Sequence, residues 1–224
     1  MSAPAPLKVI ITGATGMVGE GVLLECLDNP AVERVLMVNR RPSPLRHPKL
    51  AELIVPDFLN LSSAAPQLAG YDACFFCAGV SSVGKSEADY TRATCDVTLN
   101  FARTLVALNP AMTFIYVSGA GTDTSEKGRL MWARVKGRTE NALQRVGFAR
   151  AFSFRPGFMR AVPGQRNLAT SYKWLAWLYP VARIVAPQYV STLRQVALAM
   201  IRTAQSGYSR PILEVKDINP LGRG

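Results

Sequence analysis

This chain is short of histidine, cysteine and charge: it has one His, four Cys, and only 18% Asp, Glu, Lys and Arg among 224 residues. A single histidine, His47, excludes a His-rich metal centre, because such sites need several imidazole or thiolate ligands. Cys74 and Cys77 have Cys-x-x-Cys spacing, yet they lie in the apolar run Asp72-Ala73-Cys74-Phe75-Phe76-Cys77, which reads as a strand. Residues three apart on a strand face opposite sides, so those sulfurs can neither close a disulfide nor share a metal. The cysteines are expected to be reduced core residues, and no metal site is expected. No stretch reaches the roughly 20 apolar residues of a membrane-spanning helix. Met1 to Pro6 lack the charged start and apolar core of a secretory signal, so the expected location is cytoplasmic. Disorder is excluded by a hydrophobic content of 49%. The length suits one well-cored domain, 1–224.

Acidic residues are the scarcer charge. Lys and Arg number 26 against 15 Asp and Glu, a net charge of +11. Such an excess suits an anionic cofactor, an anionic substrate or a membrane surface, and equally a basic solvated face. No basic tail or nucleic-acid motif accompanies it, so nucleic acid is not an expected partner.

What is present begins at Thr12-Gly13-Ala14-Thr15-Gly16-Met17-Val18-Gly19, directly after the apolar run Leu7 to Ile11. Three glycines at intervals of three follow a predicted strand and open a predicted helix. Gly13 permits a tight turn, Gly16 lets backbone N–H groups approach a pyrophosphate, and Gly19 lets the helix pack closely on the strand. The first helical turn, with unpaired N–H groups and the positive dipole end, then holds the anion. Thr12, Thr15, Met17 and Val18 complete this candidate cofactor cradle.

Further predicted strands are Arg34–Val38, Glu52–Val55, Ala73–Phe76, Thr113–Ser118 and Ala151–Phe154, with a short one near Ile212–Val215. Predicted helices are Val18–Leu27, Ser86–Leu108, Arg129–Val146 and Leu193–Ala204. Near-continuous apolar strands alternating with helices predict a doubly wound α/β domain with a parallel sheet and helices on both faces. Ligands then bind at the C-terminal strand ends, near the point where strand order reverses. The rhythm breaks after Gly157, and residues 157–190 are read as a small substrate or lid appendage. Within it, Tyr172 to Tyr179 mixes aromatic and apolar residues, suiting a lid, a subunit contact or a membrane-surface contact.

The Gly-x-x-Gly-x-x-Gly spacing resembles that of the short-chain dehydrogenase/reductase superfamily, which has a Rossmann-like fold. The likeness is nearest to its extended and atypical members, often labelled nucleoside-diphosphate-sugar epimerase-like, and covers roughly residues 7 to 160. It implies NAD(P) as cofactor. Where NAD-preferring sites place an acid for the ribose 2′-hydroxyl, this chain has Asn39-Arg40-Arg41, and two guanidinium groups can hold a 2′-phosphate. NADP(H) is therefore expected over NAD(H). Asp57, followed by Phe58, matches the family position that meets adenine, and reads equally as a turn aspartate. Cys77-Ala78-Gly79 stands where the family has Asn-Ala-Gly, whose small residues let the chain pass close to the cofactor.

On the catalytic side the resemblance implies a serine ending the fifth strand and a Tyr-x-x-x-Lys on the next helix. Ser118 and Lys136 match; the tyrosine position holds Trp132. In the family the tyrosine is general acid or base, and the lysine lowers its pKa and binds the nicotinamide ribose. Indole cannot exchange a proton near neutral pH. Trp132 also falls on an apolar stripe with Val135, Leu143 and Val146, so core packing is the competing reading for it. Ser118 is expected to polarise a carbonyl. Tyr90, Tyr116 and Tyr172 are other proton carriers that spacing does not separate. Arg155-Pro156-Gly157 resembles the family segment that crosses the nicotinamide, and reads also as a plain Pro-Gly turn. Two functions follow: an NADP(H)-dependent oxidoreductase or epimerase-like enzyme acting on a carbonyl or hydroxyl, or a non-catalytic NADP(H) sensor. A sugar nucleotide fits poorly, because the C-terminal part is small for nucleotide and sugar together.

Overall fold

A computed structural model describes residues 5–168, Tyr179 and 184–223. Its main sheet is built from β1 (Leu7–Thr12), β2 (Val32–Asn39), β3 (Leu50–Ile54), β4 (Ala73–Phe76), β5 (Thr113–Val117), β6 (Arg150–Arg155) and β9 (Ile212–Glu214). The seven strands are all parallel, in the order β3-β2-β1-β4-β5-β6-β9. Parallel neighbours need crossovers, and the helices supply them: α1 (Met17–Asp28), α2 (Glu87–Thr91), α3 (Val97–Leu108), α4 (Met131–Leu143), α5 (Leu193–Ser206) and α6 (Val215–Leu221). This is the expected doubly wound α/β fold, with its order reversing between β1 and β4.

The period-2 geometry of the strands divides the core in two. Val9, Ile11, Phe75 and Ile115 point to one face, under α1 and α5; Ile10, Cys74, Phe76, Phe114 and Tyr116 point to the other, under α3 and α4. Cys74 and Cys77 thus fall into opposite layers, and all four cysteines are free. On the second face Phe76 packs edge-on against Phe101 at 5.5 Å and stacks near Phe114 at 5.9 Å. No described helix is long and apolar enough to cross a membrane.

Three features depart from the expected elements. The predicted helix Ser86–Leu108 contains a π-turn at Arg92–Asp96 between α2 and α3. Ser86 caps its start by accepting from the Asp89 N–H. A second, two-stranded sheet pairs β7 (Phe158–Arg160) with β8 (Val190–Thr192) in parallel. Strands of three residues carry too little periodicity to be read locally. The predicted late strand ends at Glu214, whose side chain and that of Asp217 form a reciprocal cap that starts α6. The aromatic segment Tyr172 to Tyr179 lies outside the described residues except for Tyr179. That ring sits 6.2 Å from Phe158, with the Arg160 guanidinium 5.6 Å above it.

Helix α4 lies unusually close to the loop before it. A Cβ at Gly137 would stand 1.8 Å from the Asp123 carbonyl oxygen, a backbone atom that cannot swing aside. Gly137→Ala should therefore push α4 off the loop at a cost of about 1–3 kcal/mol. The check is a lower urea midpoint; an unchanged midpoint would show that α4 slides freely.

Candidate functional site

The glycine turn joins β1 to α1 at the reversal point. Gly13 has φ +70°, and a Cβ there would meet the Ala78 backbone nitrogen at 2.6 Å. Gly19 is equally confined, its would-be Cβ 2.2 Å from the Gly13 carbonyl oxygen. Thr12 is fully buried, and its hydroxyl accepts the Ala78 N–H at 3.1 Å. Its side chain therefore ties β1 to the end of β4 rather than facing a ligand. Gly16 differs from its neighbours. It has ordinary φ (−108°), and a Cβ there would meet only the Gly13 carbonyl oxygen, at 3.4 Å. The fold itself does not demand glycine at this position, whereas a backbone that must meet a phosphate does.

Gly16 is the N-cap of α1, and no side chain caps the helix. The first-turn N–H groups of Met17, Val18 and Gly19 have no carbonyl within the helix to meet, which is the arrangement that binds anions. Thr15 is exposed beside them. The side chains suit a dinucleotide: a glycine turn with room, an uncapped helix, and cations beyond it.

A clamp that sequence reading missed holds this turn. Glu20 is buried in α1, where its carboxylate accepts the N–H groups of Arg166 and Asn167 at 2.9 and 2.7 Å. Gln165 donates to the Met17 carbonyl at 2.7 Å and accepts the Val162 N–H at 2.8 Å. The residues involved are some 147 positions apart, with no local pattern linking them.

At the end of β2, Asn39 is buried and its amide donates to Glu52 at 3.4 Å. Its Oδ1 is buried without a partner. Arg40 and Arg41 are exposed. Glu52, on β3, also accepts the Ser43 N–H at 2.8 Å, so it braces the loop that carries both arginines. Residues 39–41 contain no carboxylate, but Glu52 brings one to this loop from the neighbouring strand. Asp57 accepts the Leu59 N–H at 2.9 Å, the local bond of a turn aspartate. Phe58 is buried against Phe101, ring centroids 5.3 Å apart, leaving only its backbone to meet a ligand.

At the ends of β5 and β6, an open cavity of about 620 Å³ is lined by Ser118, Trp132, Lys136, Pro156 and Gly157. The predicted catalytic trio therefore does converge. Ser118, however, sends its hydroxyl into the core, toward Glu140 at 2.5 Å and the Phe154 carbonyl at 3.1 Å. A hydroxyl has one proton to give, so the expected bond to a substrate carbonyl is replaced by one to a buried carboxylate. Arg155 likewise departs from the expected cofactor role. Its guanidinium grips Glu140 through two nitrogens, with Nε at 3.0 Å from Oε1, and meets Thr124 Oγ1 at 2.5 Å. Pro156 and Gly157 pass the cavity as backbone: the Pro156 carbonyl accepts the Ala120 N–H, and a Cβ at Gly157 would meet the Tyr189 carbonyl at 2.0 Å.

Lys136 projects from α4 and donates to the Ser118 carbonyl. Burial pushes its ammonium down to about 8, with the Glu140 carboxylate opposing that fall. Trp132, one turn earlier, is half-buried: it touches the second core layer and also lines the cavity. Among the tyrosines, Tyr116 is sealed in the core, and Tyr172 lies outside the described residues. Tyr90 borders the cavity at 2% exposure, and burial raises its phenol. Burial also pushes the Cys77 thiol up to about 12, so it is no thiolate at neutral pH. Ala78 and Gly79 follow it as small residues, and a Cβ at Gly79 would meet nothing within 4 Å.

The lysine makes stability pH-dependent. Below about pH 8 Lys136 is charged in both folded and unfolded chains, and the full cost of burying that charge is present. Between about 8 and the unfolded value near 10.5, the folded chain has released a proton that the unfolded chain keeps. Stability must then rise with pH, by at most about 1.4 kcal/mol per unit from this group. Lys136→Met removes that rise. Urea unfolding of both proteins from pH 7 to 10 should show the parent gaining on the variant; a constant difference would refute the burial of the charge.

Comparison with known proteins agrees with this fold. The model of the NAD dependent epimerase/dehydratase family matches residues 9–126, slightly over half of the chain. Protein fmp52, mitochondrial, of Emericella nidulans is 30% identical over 167 residues, covering 71% of this chain and 69% of that one. Protein HTATIP2 of Rattus norvegicus is 28% identical over 171 residues, covering 75% and 68%. Among solved structures, the Bordetella bronchiseptica enzyme WbmF in complex with NAD+ superposes with a TM-score of 0.69 at 14% identity, covering 99% of this chain and 78% of that one.

Proposed function

We propose, on the premise that the chain belongs to the NAD dependent epimerase/dehydratase family, that it binds NADP(H) and works as an oxidoreductase or epimerase-like enzyme on a carbonyl or hydroxyl compound. The observation that carries this reading is that two structures lie at the C-terminal ends of strands of one sheet. One is the uncapped glycine turn, with a Gly16 the fold does not require. The other is the cavity containing Lys136 and Trp132. A bound nicotinamide supplies or takes up a hydride at its C4. The chain's own contributions are the first-turn N–H groups of α1 toward pyrophosphate, Arg40 and Arg41 toward a 2′-phosphate, and the Lys136 ammonium toward the nicotinamide ribose.

NADP(H) is preferred in this reading because two exposed guanidinium groups stand where a carboxylate would select NAD. Glu52 bears on the same choice. It braces Asn39 and Ser43, and so holds the loop that carries both arginines. NADPH should raise the melting temperature more than NADH does, since a ligand bound only by the folded state stabilises it by mass action. Replacing Arg40 and Arg41 with Ala should erase the difference, about 2–4 kcal/mol for two charge-assisted contacts. Gly16→Val should fold normally and lose the shift with either cofactor. Equal shifts for both cofactors in the parent would defeat the NADP reading, and a retained shift in Gly16→Val would move the site elsewhere.

The second reading, a cofactor-binding sensor without catalysis, is favoured by Trp132 in the tyrosine position. Trp132→Tyr restores Tyr-x-x-x-Lys beside Lys136. If the chain is an enzyme, carbonyl reduction with NADPH over a panel of aldehydes and ketones should rise about tenfold or more, within the usual contribution of general acid catalysis. A folded, NADPH-binding variant with no gain on any substrate favours the sensor. We propose the cytoplasm as location, although the fmp52 relative is named mitochondrial; imaging of the tagged chain decides between them.

A further inference from the structure

The lining of the 620 Å³ cavity is unlike that of a site for a charged substrate. Its walls are Val80, Tyr90, Trp132, Phe158 and Tyr189, interrupted by serines and small residues. Among the described residues, the one ionic side chain on it is Lys136, which gives one of its three N–H donors to the Ser118 carbonyl. Nearby charges are engaged with one another. Arg155 holds Glu140 behind Ser118, Arg134 pairs with Glu87 at 2.6 Å, and Arg160 lies over the Tyr179 ring. In the smaller cleft next door, which shares Ala120 and Tyr189, Lys216 stands 3.7 Å from Glu214.

A nucleoside diphosphate brings two phosphoryl charges that a binding site must answer with cations or a helix N-terminus. Among the described residues this cavity has no such set. Aromatic walls favour a flat aromatic partner by offset or edge contact, and the polar groups of such pockets serve to orient it. Tyr189 is 61% exposed at the cavity, an aromatic face that the fold leaves uncovered.

We infer that the cavity binds an uncharged aromatic carbonyl compound, with its rings against Trp132 and Tyr189 and its oxygen toward Lys136, in preference to a sugar nucleotide. This rests on the oxidoreductase reading of the same site and names its substrate class. The oxygen direction follows from the donor inventory: the Ser118 hydroxyl is turned into the core, leaving the lysine as the charged donor at the cavity wall.

The test uses the cofactor-free full chain, titrated with benzil and with UDP-glucose, binding being read by calorimetry and by tryptophan fluorescence. Benzil should bind at least tenfold more tightly than UDP-glucose, and Tyr189→Ser should weaken benzil at least fivefold. Because Tyr189 is exposed, its loss leaves the core intact, as circular dichroism can verify. Trp132→Phe should remove most of the benzil-induced quenching. UDP-glucose binding as tightly as benzil overturns the inference, as does a benzil affinity unchanged by Tyr189→Ser. The NADPH melting shift is measured on the same samples. A shift without benzil binding removes the substrate class alone. Benzil binding at Tyr189 without a shift removes the cofactor reading and leaves the cavity assignment standing.

Discussion

The buried pairing of Glu140 with Arg155 is the contact on which the candidate site depends. Glu140 is 1% exposed, and it is held by a guanidinium from β6 and by the hydroxyl of Ser118, the residue after β5. Helix α4 is thereby fixed to two adjacent strands by one carboxylate. A buried charge without its partner costs about 3–5 kcal/mol, so neither Glu140 nor Arg155 is free to change alone. The consequence for function is indirect and specific. Ser118 is oriented by Glu140, its carbonyl receives the Lys136 ammonium, and Lys136 leaves the same helix one turn before Glu140. One ion pair thus sets the register of the helix, the direction of the serine and the position of the only ionic group on the cavity wall among the described residues.

A second constraint couples the two halves of the site. The glycine turn is fixed from below by Gly13 against Ala78 and from the side by Glu20 and Gln165. The segment held by Glu20 follows β7, and β7 follows Pro156-Gly157 at the cavity. A carboxylate in the first turn of an anion-binding helix would repel the anion if it faced it. Here Glu20 accepts two backbone N–H groups and keeps the segment 162–167 against α1. The glycine turn and the cavity wall are therefore joined through one length of chain, 156–167, whose far end hydrogen-bonds to α1.

Much of this fold is legible in the sequence because its signals are local. Apolar runs of four to eight residues mark the strands, and Gly13 and Gly19 mark the turn, since tight backbone approach there leaves few alternatives to glycine. The helical period of 129–146 puts Trp132 and Lys136 on one helix, and the resemblance to a Tyr-x-x-x-Lys pattern singles them out. What escaped depends on distant partners. Ser118 could be located at the end of β5, but the direction of its hydroxyl depends on Glu140, twenty-two residues later, and on a strand after that. Arg155 looked like part of a cofactor segment because the Pro-Gly beside it does border the cavity. Its own charge is needed inside. Glu52 and Glu20 were invisible for the same reason: the groups they brace are remote in sequence, and a lone carboxylate carries no pattern.

The tryptophan in the tyrosine position changes what the lysine faces. With a phenol present, an ammonium nearby favours the phenolate and is itself favoured by it. With indole, Lys136 has no anion on the cavity side, and Glu140 behind it is shared with Arg155 and Ser118. Burial outweighs the Glu140 carboxylate, and the ammonium falls to about 8. The same replacement enlarges the aromatic wall, because indole offers more flat surface than phenol. At residue 132 the chain thus has an aromatic surface that carries no exchangeable proton near neutral pH. A cavity so altered retains a cation that can orient an oxygen, while its walls select by shape and apolar contact. That combination describes recognition of a neutral ring system better than recognition of a phosphorylated sugar.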